Sequence, residues 1–518
     1  MGLLVKAHIE LGPFFGQNLT NIRHLCLDGV SILVPEDEWC SVLMPLRDLQ
    51  ELSMSWCGLS RPLDPSLTRL ENLSVIVLDG NKYYHPQCQK TFLHFKNIII
   101  LSLTNCGSNG TFPHKIFNIG TLSVIDTSWN NNLHGFLPEF PSSRSLYSLS
   151  VSNTNLSGEI PSFIGNMRKL SELNLSKCGF SRTISNSLLN LTKLVQIDSL
   201  DISNNNLSGR IPSFLFTSQS IELFHNQFSQ LDKIRNVSRL YSLDLSSNDQ
   251  FGPFSTSILQ LSTLFVLHFS SNQFNGSVQL NKLLELSLTS FLSLSNNTLD
   301  GSIPNSIYIA SSLQVFDLSL NNIYGTIISC HIPYAIPASC SLWILNLHGN
   351  LLDGPIPNSL SCCLKLKVLD LGLNQIIGGF PCFLKKISTL RILVLWKNKF
   401  QGSLRCSKTN KTWEIVQIVD IAFNNFSGKL PGKYFTTWER YIMHGEQETE
   451  SKLMELVKIF TIFTSIDFSS NHFKGPITKE HMDFKELYIF LSKTTLSSEI
   501  PLSIGNLRRL ESLCLSQN

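Results

Sequence analysis

The chain has 518 residues, of which 42% are hydrophobic and only 15% charged, with a formal net charge of +3. An average globular protein is roughly 25% charged, so hydroxyl and amide side chains supply the polarity here, which suits an extracellular protein. No basic or acidic block argues for nucleic acid or an anionic membrane surface, and no run reaches the ~18 apolar residues of a membrane helix.

Residues 1–17 read as a non-repeat stub. Lys6 and Glu10 interrupt any apolar stretch and no small-residue cleavage site follows, so the segment does not read as a signal peptide. From 18 to 432 the chain repeats itself. "LSLSNNTLDGSIPNSI" (292–307) returns as "LNLHGNLLDGPIPNSL" (345–360). The shared frame is L-x-x-L-x-L-x-x-N-x-L-x-G-x-I-P, matched by Leu342, Leu345, Leu347, Asn350, Leu352, Gly354, Ile356 and Pro357. A sustained period in the twenties means a solenoid. The predicted fold is α/β, a right-handed solenoid curved into a horseshoe or superhelix. It has about twenty 24-residue turns and a parallel sheet on its concave face.

Each turn follows from side-chain chemistry. The L-x-L run alternates in and out, so it forms a short strand with both leucines buried. The Asn turns inward and must bond backbone groups of its own and the next turn. This predicts a structural ladder at Asn205, Asn248, Asn272, Asn297, Asn321, Asn350, Asn374, Asn398, Asn424 and Asn471. Earlier turns place Cys57, Cys106 and Cys178 at the same position. They stand two and three turns apart, roughly 10 Å or more, too far to cross-link, and are expected as buried thiols. Thr127 replaces an inward aliphatic residue, and Gln250 stands where the frame wants Leu or Phe. With short steps around Asn226, this predicts a poorly packed seam over 226–250.

Cys382 and Cys406 each follow the Pro-equivalent position in consecutive turns, so they are neighbours and a predicted disulfide. N-x-[ST] sequons make Asn18, Asn72, Asn109, Asn155, Asn190, Asn206, Asn236, Asn275, Asn296, Asn410 and Asn425 candidate glycosylation sites. Asn174 also carries the motif but lies within a strand pattern, the poorest acceptor. The inner face of a solenoid sheet is its default binding surface. Asp recurs at the central outward position, where it can bond locally. Around Asn346, His348, Asp370, Val394, Trp396 and Asp420 the outward residues are the least uniform, and an exposed Trp is a hot-spot type of residue. These six form the candidate ligand surface. Residues 433–462 break the frame as an insert. Repeats resume over 463–518 and stop in mid-turn at "LESLCLSQN", the pattern expected of a fragment.

The frame resembles the plant-type extracellular leucine-rich repeat, as in "NNNLSGRIP" (204–212) and "NTNLSGEIP" (153–161). Longer phrases, "IIGGFPCFL" (376–384) and "IVDIAFNNFSGKLPGKYFTTW" (418–438), are similar to cell-surface receptor-like proteins of the Verticillium-wilt-resistance kind. The resemblance implies an ectodomain on the extracellular side of the plasma membrane that perceives a peptide, protein or glycan in pathogen defence. It also implies signalling through co-receptor kinases, and identifies the insert with the family's non-repeat island. The chain departs from the family in lacking its signal peptide, N-terminal cysteine cap and membrane helix. No kinase loop, H-R-D, D-F-G, H-E-x-x-H or G-x-S-x-G motif occurs, so no enzyme, cofactor or metal is expected. A soluble wall-located inhibitor of microbial enzymes and the ectodomain of a receptor kinase are the alternatives. The insert argues against the first.

Overall fold

In a computed structural model, the described residues are 8–9, 19, 21–32, 39–60, 64–82, 94–138, 145–162, 164, 167, 169–184, 197–234, 239–286, 289–308, 310–327, 340–406, 416–430, 465–476, 488–496 and 513–514. The chain divides into two compact units, 1–250 and 251–518. Most of the stub and all of the insert at 433–462 lie outside the described residues. His8–Ile9 pairs in parallel with Ser31–Ile32.

In the first unit, three-residue strands follow one another in chain order as a parallel sheet. His24–Cys26, Glu51–Ser53, Val75–Val77, Ile100–Ser102 and Val124–Asp126 pair in succession. Ser148–Ser150, Glu172–Asn174, Ser199–Asp201, Ser220–Glu222 and Ser242–Asp244 continue it. The register is leucine on leucine, Leu149 opposite Leu173 and Leu173 opposite Leu200. The middle residue of each strand points into the core. Leu52, Ile76, Leu101, Ile125 and Leu149 are fully buried, each stabilising the fold by about 1.5–3 kcal/mol. A second sheet of six strands runs from Asn109–Thr111 to Gln227–Leu231.

The second unit repeats this plan. Val266–His268, Phe291–Ser293, Val315–Asp317, Ile344–Asn346, Val368–Asp370, Ile392–Val394 and Ile418–Asp420 pair in order. Ile418–Asp420 then pairs directly with Ser465–Asp467, Asp420 opposite Asp467, so the sheet keeps its register across 431–464. The outer side of each turn is closed mostly by short 3₁₀ segments such as Asn358–Cys362 and Cys382–Lys386. The two described α-helices, Trp39–Leu43 and Leu280–Leu284, have only five residues each.

The ladder asparagines are saturated. Asn321 Nδ2 donates to the carbonyls of Leu318 and Ser319 in its own turn and of Leu294 in the turn before, and Oδ1 accepts the Leu299 N–H. The expected partner in the next turn is therefore corrected to the preceding one. The Asn side chain follows the strand and folds back under it, where earlier backbone groups are still open. Cys57 and Cys106 keep one of these bonds, their thiols lying 3.0 and 3.1 Å from the carbonyls of Leu27 and Leu78. Burial pushes the Cys57 thiol up to about 11. Cys178, expected buried, is only partly so.

Ahead of the ladder position the backbone is left-handed. Trp56, Trp129 and Lys177 in the first unit, and Leu320, Leu373, Lys397 and Phe423 in the second, have φ between 51° and 61°. This turns the next residue inward and its own side chain out. Gln250 is buried while Phe251 is 51% exposed, so the polar residue holds the core position. Thr127 is also buried, and its Oγ1 has no hydrogen-bond partner among the described residues.

Candidate ligand-binding face

Most of the described sheet strands show two outward positions in a fixed relation. At the central one an Asp recurs, and its Oδ1 caps the residue two further on. Asp201, Asp244 and Asp317 each accept the N–H and the hydroxyl of Ser203, Ser246 and Ser319, with hydroxyl distances of 2.7, 2.6 and 2.8 Å. Asp and Ser favour such local side-chain-to-backbone bonds. The Asp column is thus explained by turn chemistry, as its recurrence suggested.

In the second unit the serine row reads Ser270, Ser295, Ser319, then His348, Gly372, Trp396 and Ala422, then Ser469 and Ser492. Four consecutive turns abandon the rule, alternating large with small. Gly372 carries no side chain, and a Cβ there would lie 2.8 Å from His348 Nδ1. The imidazole therefore leans over the next turn into the space the glycine leaves. There it meets Asp370 Oδ1 at 3.3 Å and lies parallel to the Trp396 indole, with ring centroids 5.9 Å apart and planes within 1°. On the following turn Ala422 is small, and Phe423 meets Trp396 edge-on at 6.2 Å and 79°. Such offset and edge-to-face pairs suit the aromatic quadrupole.

The electrostatics follow from this packing. The Asp370 hydrogen bond raises the His348 pKa, against the opposing effect of burial. Asp420 accepts the Ala422 N–H at 3.0 Å but has no serine hydroxyl in its own turn. Burial, with Asp467 and Asp370 nearby, pushes its carboxyl up to about 6.

Of the six residues singled out from sequence, His348, Asp370 and Trp396 form one contact cluster. Asn346, Val394 and Asp420 share its column, with Asn346 opposite Asp370, Asp370 opposite Val394 and Val394 opposite Asp420. Asn346 Oδ1 caps the His348 N–H, as Asp does elsewhere. Trp396, expected exposed, is half-buried because His348 and Phe423 flank it. Gly372, Phe423 and Lys397 were missed. Only the interruption of the serine row could have marked Gly372.

Cys382 and Cys406 are bonded, with Cα atoms 5.5 Å apart. A second disulfide, Cys340–Cys363, went unread in the sequence. Among the sequons, Asn72, Asn155, Asn206, Asn275, Asn296 and Asn425 are exposed and Asn109 is half-buried, while Asn18, Asn190, Asn236 and Asn410 lie outside the described residues. Asn174 sits in its strand with Oδ1 engaged by Ser176. No described helix is long and apolar enough to cross a membrane.

A family model described as Leucine Rich Repeat matches residues 145–167, 196–218 and 341–363. The chain is 30% identical over 366 residues to Receptor-like protein 35 of Arabidopsis thaliana, covering 66% of this chain and 30% of that protein. It is 28% identical over 463 residues to Receptor-like protein 18 of the same plant, covering 81% of this chain and 48% of that one. It thus spans half or less of these relatives. Among solved structures, a TDR receptor superimposes with a TM-score of 0.72 at 21% identity, over 99% of this chain and 91% of that one. The Arabidopsis receptor kinase HAESA, solved with the peptide hormone IDA and the co-receptor SERK1, gives 0.69 at 24%, over 96% and 82%. The repeat frame, the asparagine ladder and these relatives together place the chain among the plant leucine-rich-repeat proteins of the receptor-like type.

Proposed function

We propose that this chain is the recognition part of a cell-surface receptor-like protein. It binds an extracellular ligand on the sheet face around His348, Asp370, Trp396 and Asp420, and carries no catalytic activity of its own. The observation that carries this reading is the interruption of the serine row. Over four consecutive turns a pattern that serves the fold gives way to residues that do not, and the replacements assemble into an aromatic and charged cluster. Half-buried aromatic residues held by neighbours are the type that dominates binding energy. Solved neighbours of the same fold hold peptide hormones, one with a co-receptor. A peptide is therefore the first ligand class to test, and a partner kinase the expected route of signalling. Defence against microbes is the setting that the receptor-like resemblance favours.

The test is binding of the secreted chain to wall and microbial peptide fractions, with Trp396→Ala and His348→Ala as variants. Losing Trp396 should weaken binding at least tenfold, with Glu172→Ala on the first unit's sheet face as the unaffected control. Unchanged binding in both variants, with loss in Glu172→Ala, would move the site to the first unit.

A further inference from the structure

Trp396 and Phe423 stand almost at right angles, two walls of a corner on consecutive turns. Phe423 is 47% exposed and Trp396 half-buried, so the corner opens to solvent. Its third side is carboxylate. Register places Asp420 opposite Val394, and Trp396 follows Val394 by two residues on the same face of the sheet. One cation already uses the indole, the Lys397 ammonium lying 5.6 Å from the centre of the Trp396 ring. That is cation–π distance, favoured by the negative face of the indole.

Asp420, like Asp467 opposite it, accepts a backbone N–H alone among the described residues, and so differs from Asp317 and Asp370 in the same column. Asp317 takes a serine hydroxyl as well as a backbone N–H, and Asp370 takes His348. The Ala422 N–H is the hydrogen bond that Asp420 accepts among the described residues, so most of its acceptor capacity is unspent. Beside it runs a row of aliphatic residues at the first position of each strand, Val368 and Ile418 half-buried with Ile392 buried between them. An apolar strip flanked by carboxylates two turns apart, Asp370 and Asp420 with Val394 between them, complements an extended chain that carries a basic side chain.

We propose that the corner formed by Trp396, Phe423 and Asp420 receives the cationic side chain of an extended basic peptide, and that Lys397 occupies the Trp396 face until the peptide displaces it. This rests on the recognition reading above and sharpens it to a ligand class. Two aromatic faces meeting at an angle beside a carboxylate are suited to a guanidinium or ammonium group, which gains cation–π attraction and a counter-ion together. Free amino acids and polyamines bring the charge without the backbone that the aliphatic strip would hold.

The test uses the full chain and four probes followed by tryptophan fluorescence and calorimetry. They are the peptide acetyl-Ala-Val-Arg-Val-Ala-amide, its citrulline and glutamate counterparts, and arginine amide. The arginine peptide should bind at least tenfold more tightly than each of the others. Asp420→Asn and Trp396→Phe should each weaken it severalfold or more. Asn already serves in this column at Asn346, so Asp420→Asn leaves the turn cap intact. Lys397→Gln should tighten binding about threefold, an effect that a merely structural lysine would not produce. Equal binding of the citrulline peptide, tighter binding of the glutamate peptide, weaker binding by Lys397→Gln, or no binding at millimolar peptide would each overturn the proposal. Equal binding of arginine amide would overturn the choice of a peptide. If the arginine peptide passes every arm while binding of natural fractions ignores Trp396→Ala, the corner stands and the recognition reading falls.

Discussion

Asp420→Asn should stabilise the second unit at neutral pH and leave it unchanged in acid. In the fold the Asp420 carboxyl titrates at about 6, against an ordinary value of 3.8, chiefly because burial disfavours its charge. A group that holds its proton more tightly when folded stabilises the protonated fold. Below pH ~4 both states are protonated and nothing is lost. Between ~4 and ~6 stability falls as pH rises, and above ~6 the whole penalty is present. A shift of about two units corresponds to at most ~3 kcal/mol, or roughly a hundredfold in local opening. Asn removes the charge and keeps the oxygen that caps the Ala422 N–H. The assay is hydrogen exchange of the segment 416–428 at pH 4 and pH 7.5, comparing the variant with the parent at each pH so that intrinsic exchange rates cancel. Protection should rise in the variant at pH 7.5 only. Equal protection at both pH values, or faster exchange in the variant at pH 7.5, would show that the charge is not penalised and that the electrostatic argument fails.

Gly372→Ser, which restores the usual residue of the row, should push His348 off Asp370, and NMR should find the His348 titration lowered towards 6.5; an unmoved titration would mean the ring does not need the gap. Thr127→Val should raise the urea midpoint, gaining about 1–2 kcal/mol by removing a buried hydroxyl that has no partner among the described residues. Asn321→Ala leaves the Leu299 N–H and three carbonyls short of partners and should cost more than ~3 kcal/mol, with exchange accelerating first at Leu294–Leu299. Cys382→Ser opens a loop of 24 residues and should cost about 3 kcal/mol in oxidising buffer and nothing after reduction, read from paired melting curves.

The turn was legible because its logic is local and repeated. The leucines of L-x-L and the inward Asn can each be read from spacing alone, and so can the recurrence of an Asp that bonds locally, though not which residue it caps. What spacing cannot show is the direction in which a bonded or stacked group reaches. The asparagines were given the wrong neighbouring turn because the frame is symmetric in sequence while the folded strand is not. His348 and Trp396 stood out as departures, but their contact depends on an intervening residue that contributes only its lack of side chain. Gly372 looks like any bend glycine in a string of letters. Phe423 was overlooked because the residue before the ladder had no assigned direction until its left-handed backbone was seen. Cys340 sits two residues ahead of Leu342 and Cys363 three ahead of Leu366, after an irregular step of 29 residues between Asn321 and Asn350, so the frame did not align them.

That left-handed residue also limits how this surface can change over time. A non-glycine side chain in that region is tolerated chiefly when it does not branch at Cβ. Among the described turns the column holds Asn, Ser, Lys, His, Leu, Trp, Phe and Gly, and never Val, Ile or Thr. Backbone geometry thus acts as a filter on mutation at a position whose side chain projects outward. The column holds an exposed indole at Trp56 and Trp129 where other turns hold a small polar group, and Trp56 lies over Gly80 in the same column of the next turn. New binding chemistry along this edge would therefore arise mainly through unbranched and aromatic replacements. A library meant to redirect recognition would do best to draw on the same short alphabet.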